Sequence, residues 1–333
     1  MAEPIDRRRF LRVMGMSLGV GALYRVLPAW ADQGAAGDVV RTLARANGER
    51  LTPFTFVQLS DSHVGFQGPP NPTGTLAFEK AVQVINGLAK PPDLVLFTGD
   101  LTHDSEDRDE RVRRMRRFAE LAKRIKAPNK KMVPGEHDAG IDGGALYQEL
   151  FGESSYSFDH RGVHFVALDN VSRAKPEVGA DRIAWLEKDL ARFPPTAPIV
   201  VFTHRPLFDL RPDWEWFTSD GDQVMELLNR FENVTVLYGH IHREDVHVTP
   251  HAHHYAARSL IFAFPDPEKT AEKKPIPFDK EHPLRNLGLR LVHAGPGAAA
   301  PDTVALGVEE VELTLREHSG TEGFQQLLKP TTA

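Results

Sequence analysis

The chain has 333 residues and a formal net charge of −6; 41% of its residues are hydrophobic and 26% charged, which is enough apolar material for a core of ordinary size. It holds no cysteine, which excludes disulfides, thiolate metal sites, iron–sulfur clusters and cysteine nucleophiles. An acidic chain makes a poor coat for nucleic acid, and any metal must sit among its 15 His and 46 Asp and Glu.

The first residues carry Arg7-Arg8-Arg9-Phe10-Leu11-Arg12, then a glycine-diluted apolar run over 13–27, then Ala29-Trp30-Ala31. A basic start, a short apolar run and a small-x-small site, in that order, read as an export signal over 1–31. The alternative is a basic amphipathic helix on the surface. The run is too short and too rich in glycine for a stable membrane span. The hexapeptide resembles the twin-arginine consensus. That resemblance implies a folded protein handed to the twin-arginine export machinery and delivered to the periplasm or beyond. Residues 32–50 read as a linker, 51–318 as one domain and 319–333 as a tail.

Within the domain, 54–59 reads as a buried strand ending at Asp61-Ser62-His63. Apolar residues at helical spacing follow over 75–88, and Pro91-Pro92 stops them. A second strand, 93–97, ends at Thr98-Gly99-Asp100, and a highly charged helix covers 105–126. A third short strand, 131–133, breaks at Pro134-Gly135 and delivers Glu136-His137-Asp138. This β-α-β-α-β order is the signature of parallel strands under helices, and such sheets bind ligands at their carboxyl ends.

The middle reads as a hairpin, 156–158 and 163–168, around Gly162, then a helix over 181–193. A strand at 199–202 ends at Thr203-His204. A helix over 224–231 precedes a strand at 234–238, which ends at Gly239-His240-Ile241-His242. Shorter strands are expected at 246–248, 260–264, 289–292, 304–306 and 308–313. A Pro/Lys-rich loop at 265–283 is long enough to be functional.

Taken singly, each strand-end motif has a bland reading: a cap, a turn or a buried histidine. Taken together they gather carboxylates and imidazoles at five strand ends, as a dinuclear metal site requires. Other residues are weighed the other way. His251, His253 and His254 read as a solvated loop rather than a metal cluster, and His160 and His164 as hairpin residues. Trp214 and Trp216 read as a small core anchoring their loop. Arg205 reads as a salt-bridge partner rather than a phosphate contact. His103 is read equally as a loop residue or a substrate contact.

The ordered set Asp-x-His, Gly-Asp, Gly-x-His-Asp, His and Gly-His-x-His, over roughly 54–250, resembles the calcineurin-like metallophosphoesterases. Residues 165–169 with Trp185-Leu186-Glu187 point toward the cyclic-nucleotide phosphodiesterase and purple acid phosphatase branches. The resemblance implies an α/β fold, a four-layer α-β-β-α sandwich with two mixed sheets and the site at one edge. It implies two metal ions, drawn from Fe, Mn or Zn. Asp61, His63 and His242 would hold one, Glu136, His204 and His240 the other, with Asp100 shared. His137 would act as general acid or phosphate contact, and Asp138 would orient it. The reaction implied is hydrolysis of a small phosphomonoester or phosphodiester by a hydroxide bridging the metals.

One position departs from the family, which has Asn where this chain has Glu136. The third carboxylate cancels the +1 that two carboxylates, two divalent ions and a hydroxide would leave. A trivalent–divalent pair containing iron would restore it, so a mixed-valence pair is favoured. The alternatives are a weakly held second metal with slow turnover, or a metal- or ligand-binding protein without catalysis on the same fold.

Overall fold

In the chain's computed structural model, residues 52–296 and 304–314 are described. The export-signal, linker and tail readings at 1–31, 32–50 and 319–333 lie outside those residues. In chain order, β1 (Phe54–Leu59), α1 (Leu76–Asn86), β2 (Leu94–Thr98), α2 (Arg108–Lys123) and β3 (Asn129–Val133) form the expected alternating unit. Two helices follow that the sequence reading omitted, α3 (Glu136–Ala139) and α4 (Ala145–Phe151). Next come β4 (Tyr156–His160), β5 (Val163–Ala167), α5 (Ala180–Leu190), β6 (Pro198–Phe202), α6 (Gly221–Leu228) and β7 (Asn233–Tyr238). β8 (Asp245–Val248), β9 (Ala252–Ala256), β10 (Gly288–Pro296) and β11 (Val304–Glu312) complete the described strands.

Local signals explain several boundaries. The Asp107 carboxylate caps α2 by accepting from the Asp109 and Glu110 backbone N–H groups, and Asp109 and Glu110 add negative charge to the first turn. The β4–β5 hairpin turns on Arg161 and Gly162, with φ of 49° and 84°. Two successive positive φ values are what a tight two-residue hairpin demands, and Gly162 meets the second without a Cβ clash.

The strands assemble into two mixed sheets. One has the order β11-β10-β1-β2-β3 and the other β4-β5-β6-β7-β9-β8. Side chains alternate as strand geometry requires. Phe54, Phe56, Leu94, Leu96, Phe165 and Phe202 fill the space between the sheets. From the same strands, Val57, Leu59, Val95 and Phe97 turn outward and pack under α1 and α2. On the other side Val166, Ile199, Val201 and Val236 pack under α5 and α6. The result is the four-layer α/β sandwich expected from the resemblance.

A buried polar strut crosses the middle of this sandwich. Arg290, 0% exposed, donates to Gln58 Oε1 (3.0 Å) and to the Ala256 carbonyl, while Gln58 Nε2 donates to the Tyr238 carbonyl (3.0 Å). Glu310 pairs with the same guanidinium. Residues of β1 and β10 are thereby tied to β7 and β9.

Two expectations are corrected. Residues 260–264 form no strand, and they run as a loop that brings the Phe262 carbonyl to the site. Residues 252–256, read as a solvated histidine loop, form β9, parallel to β7. Ala252, His254 and Ala256 are its buried face. Small residues and a histidine at the inward positions hid the alternation that marks a strand.

Candidate metal centre

Each strand end is bent sharply to present its side chains. Asp61 and His63 after β1, Asp100 after β2, and His240 and His242 after β7 all have positive φ, between 39° and 66°. Among the described residues eight non-glycine positions have positive φ, and these are five of them. Such a conformation costs about 1–3 kcal/mol per residue and persists only where its surroundings enforce it. The enforcement is visible: Asp61 N–H donates to the Gly99 carbonyl (3.0 Å), His63 N–H to the Asp100 carbonyl (2.9 Å), and His240 N–H to the Asp61 carboxylate (3.1 Å). Gly135 lets α3 approach this knot. A Cβ there would stand 2.1 Å from Asp100 Oδ1 and 2.2 Å from the Asp100 nitrogen.

The side chains so presented form two adjoining groups. Asp61, His63, Asp100 and His242 make one, and Glu136, His204 and His240 the other; within each group the ligand atoms lie within 4.8 Å of one another. Asp100 joins them. Its Oδ1 accepts the His137 backbone N–H (3.0 Å), while Oδ2 stands 3.2 Å from His63 Nε2 and 3.5 Å from His204 Nε2. All seven residues of the expected ligand set are therefore brought together.

The hydrogen bonds behind the rings say what the fronts are for. His204 Nδ1 faces the Thr98 carbonyl (2.7 Å), His242 Nδ1 the Phe262 carbonyl (2.9 Å) and His240 Nε2 the Glu215 carbonyl (3.0 Å). A carbonyl only accepts, so each of these nitrogens carries the ring's hydrogen, and the opposite nitrogen of the neutral ring is a bare lone pair. Those lone pairs meet other acceptors: His204 Nε2 and Glu136 Oε2 at 2.8 Å, His240 Nδ1 and Glu136 Oε1 at 2.8 Å, His242 Nε2 and Asp61 Oδ1 at 3.3 Å. His204 Nε2 and Glu136 Oε2 are both buried with no hydrogen-bond partner. Acceptor facing acceptor is stable only around a cation, a proton or a metal ion. The donor set of carboxylate and imidazole suits borderline divalent metals.

The electrostatics point the same way. Burial and the nearby Glu136 push the Asp100 carboxyl up, yet His204, His137 and His63 hold it well below the usual range. Glu136, also penalised by burial, is held well below by His240, His204 and Arg205. Burial lowers His204, but Asp100 and Glu136 outweigh it and raise the ring well above the ordinary imidazole value. Burial keeps His240 down at about 4 in spite of Glu136.

Asp138 does not orient His137. Its carboxylate accepts the Leu101 N–H (2.9 Å), the Thr102 N–H (2.8 Å), the Thr102 hydroxyl (2.8 Å) and the Gly135 N–H (2.9 Å). Consecutive residues on a helix diverge, so the buried face of α3 took Asp138 and the open face took His137. The partner of His137 is Asp104, which sequence reasoning missed: Nδ1 and Oδ1 are 2.9 Å apart. His103 stacks on His137 with ring centres 4.6 Å apart and reaches His63 Nδ1 at 3.2 Å, so it belongs to the site. Burial lowers His137, but Asp100, the bond to Asp104 and Glu136 carry it up to about 9. The adjacent pair His103-Asp104, just after Asp100, was the one available signal.

Arg205 is a salt-bridge partner, as read, and its partner matters. Nη2 lies 3.7 Å from Glu136 Oε1, and Nη1 donates to the Glu215 carbonyl (2.7 Å). This guanidinium adds one positive charge beside the third carboxylate. With it counted, two divalent ions also leave +1. Trp214 and Trp216 pack with Tyr238, Ile241 and Phe264 in a small core, as expected. His251, His253 and His254 join none of the candidate metal-binding groups among the described residues.

Residues 54–244 match the family model described as calcineurin-like phosphoesterase. A probable glycerophosphodiester phosphodiesterase from Arcobacter nitrofigilis is 28% identical over 207 residues, 56% of this chain and 71% of that protein. A serine/threonine-protein phosphatase, CPPED1 from Danio rerio, is 28% identical over 219 residues, 57% of this chain and 71% of that one. Among solved structures, a dimetal phosphatase from Danio rerio superposes with a TM-score of 0.51 at 13% identity, covering 76% of this chain and 98% of that chain.

Proposed function

Because the chain belongs to the calcineurin-like phosphoesterases, we propose that it hydrolyses small phosphoric esters with a pair of metal ions. The observation that carries this is the nest itself, in which bare imidazole nitrogens and buried carboxylates face one another across less than 4.8 Å. Asp61, His63 and His242 would hold one ion, Glu136, His204 and His240 the other, and Asp100 Oδ2 would be shared. Bound there, the pair would supply Lewis acidity toward phosphate oxygens and make a bound water more acidic. The similar proteins act, by their names, on a phosphodiester in one case and on phosphorylated serine or threonine in the other. Phosphoric ester hydrolysis is the chemistry common to both.

The chain's own residues do the rest. His137 stands at the part-exposed rim beside Asp100, and Asp104 holds the proton on its Nδ1 side. Asp104, which belongs to neither ligand group, favours the protonated ring through its bond to Nδ1, and that ring can hand a proton to the departing oxygen. Asp138 fixes the turn that carries Asp100 and Gly135, so it serves by positioning. Arg205 balances Glu136 and makes a divalent pair sufficient, although an iron-containing mixed-valence pair fits the same ligands. Export by the twin-arginine route to the periplasm belongs to this reading and rests on the arginine motif alone. Among the described residues no helix is long and apolar enough to cross a membrane.

The test uses protein recovered from the exported fraction. Metal analysis should find two ions per chain, and chromogenic mono- or diesters should be cleaved. A chelator should abolish turnover and lower Tm, since ligands of the native state stabilise it. A protein that holds two ions yet cleaves no ester would be a binding protein on this fold. The His137 assignment has its own check. Because the bond to Asp104 raises His137, its protonated form is kept to higher pH than a free imidazole's and is lost as pH rises through that raised value, on the alkaline limb of kcat. Asp104→Asn removes part of what raises it, so the alkaline limb of kcat should move down by about one pH unit. An unmoved limb would assign the proton to another group.

A further inference from the structure

The loop 265–283 reaches back to the Glu136 side of the nest. Trp214 Nε1–H donates to the Ala271 carbonyl (3.1 Å), and Lys273 Nζ donates to the Trp214 carbonyl (2.7 Å). The next carbonyl along the chain, that of Glu215, accepts from Arg205 Nη1 (2.7 Å) and faces His240 Nε2 (3.0 Å). Two cations thus hang on consecutive carbonyls beside a ligand ring. The Lys273 ammonium also sits 5.8 Å over the Phe264 ring, whose centre is 5.1 Å from that of His242. Burial lowers the Lys273 pKa, Glu136 and Glu215 pull it back up, Arg205 opposes them, and Asp100 adds to the pull, so the ammonium lies within the field of the nest.

These two cations are not equivalent. Arg205 is matched by Glu136. Among the described residues no carboxylate comes within ion-pair distance of the Lys273 ammonium. One positive charge beside the nest is therefore free for a ligand. A phosphomonoester carries two negative charges near neutral pH, its second pKa being about 6, whereas a diester carries one. A site that balances its own third carboxylate and adds a further cation suits the more highly charged phosphate.

We propose, resting on the hydrolase reading above, that Lys273 contacts the substrate's phosphate and makes the enzyme prefer phosphomonoesters to phosphodiesters. Lys273 lies beyond the residues that match the family model, 54–244.

The test compares the metal-loaded full chain with Lys273→Met and Lys273→Arg. Rates on p-nitrophenyl phosphate and bis(p-nitrophenyl) phosphate are measured, with the affinity for inorganic phosphate by calorimetry. Lys273→Met should lower kcat/KM for the monoester about tenfold, chiefly through KM, weaken phosphate about tenfold, and change the diester by at most about twofold. Lys273→Arg should restore most of the monoester rate. Equal loss on both esters would mean that Lys273 only latches the loop, and would overturn the proposal, as would unchanged phosphate affinity. If the wild-type chain cleaves neither ester while Lys273→Met still loses phosphate, the hydrolase reading fails and the phosphate contact stands.

Discussion

Asp100→Asn should lower kcat by about three orders of magnitude, the equivalent of several kcal/mol of charge stabilisation at 1.36 kcal/mol per tenfold. The substitution is nearly isosteric, and an amide oxygen can still accept the His137 N–H that Asp100 Oδ1 accepts now. What changes is the other terminus. Oδ2 faces His63 at 3.2 Å and His204 at 3.5 Å, and so reaches both groups. An amide NH2 there presents hydrogens where a cation would sit. Metal content should fall below two per chain, with the fold intact by circular dichroism. A variant that kept two ions and the parent rate would remove Asp100 from its shared role.

Gly135→Ala should be nearly as damaging, by a steric route. The added methyl would lie 2.1 Å from Asp100 Oδ1 and 2.2 Å from the Asp100 nitrogen. The nearest atoms are a backbone nitrogen and a carboxylate already tied to His137, so no flexible side-chain end is available to swing away. Overpacking of this kind costs about 1–3 kcal/mol, and a shift of about 1 Å in a positioned group costs about a hundredfold in rate. Tm and kcat should therefore fall together. If Gly135→Ala melted and turned over like the parent, the close approach of α3 to the Asp100 turn would not be needed.

The ligands were legible because each ends a strand. A run such as Val234-Thr235-Val236-Leu237-Tyr238 announces itself by composition, and the Gly239-His240-Ile241-His242 that follows can only lie at the sheet's edge. The groups that orient the ligands were not legible. His204, His240 and His242 are held by main-chain carbonyls of Thr98, Glu215 and Phe262, and every residue has a carbonyl. Asp138 adjoins His137 in sequence but not in space; its hydrogen bonds run to Leu101, Thr102 and Gly135. Asp104 and Lys273 carry no motif and come to the site through loop paths that no period reveals. β9 was missed because Ala252 and His254 stand where larger apolar residues would have signalled a buried face.

The nest is shared between the sheets. Asp61, His63, Asp100 and Glu136 follow strands of one, and His204, His240 and His242 follow strands of the other. Any sliding of one sheet over the other would change the gap between opposing ligands. Arg290 and Gln58 rivet the two layers at a point a few residues before Asp61 and Gly239. The gap between the two groups of candidate ligands is thus set by the architecture, so on the proposed reading discrimination among esters falls to the rim.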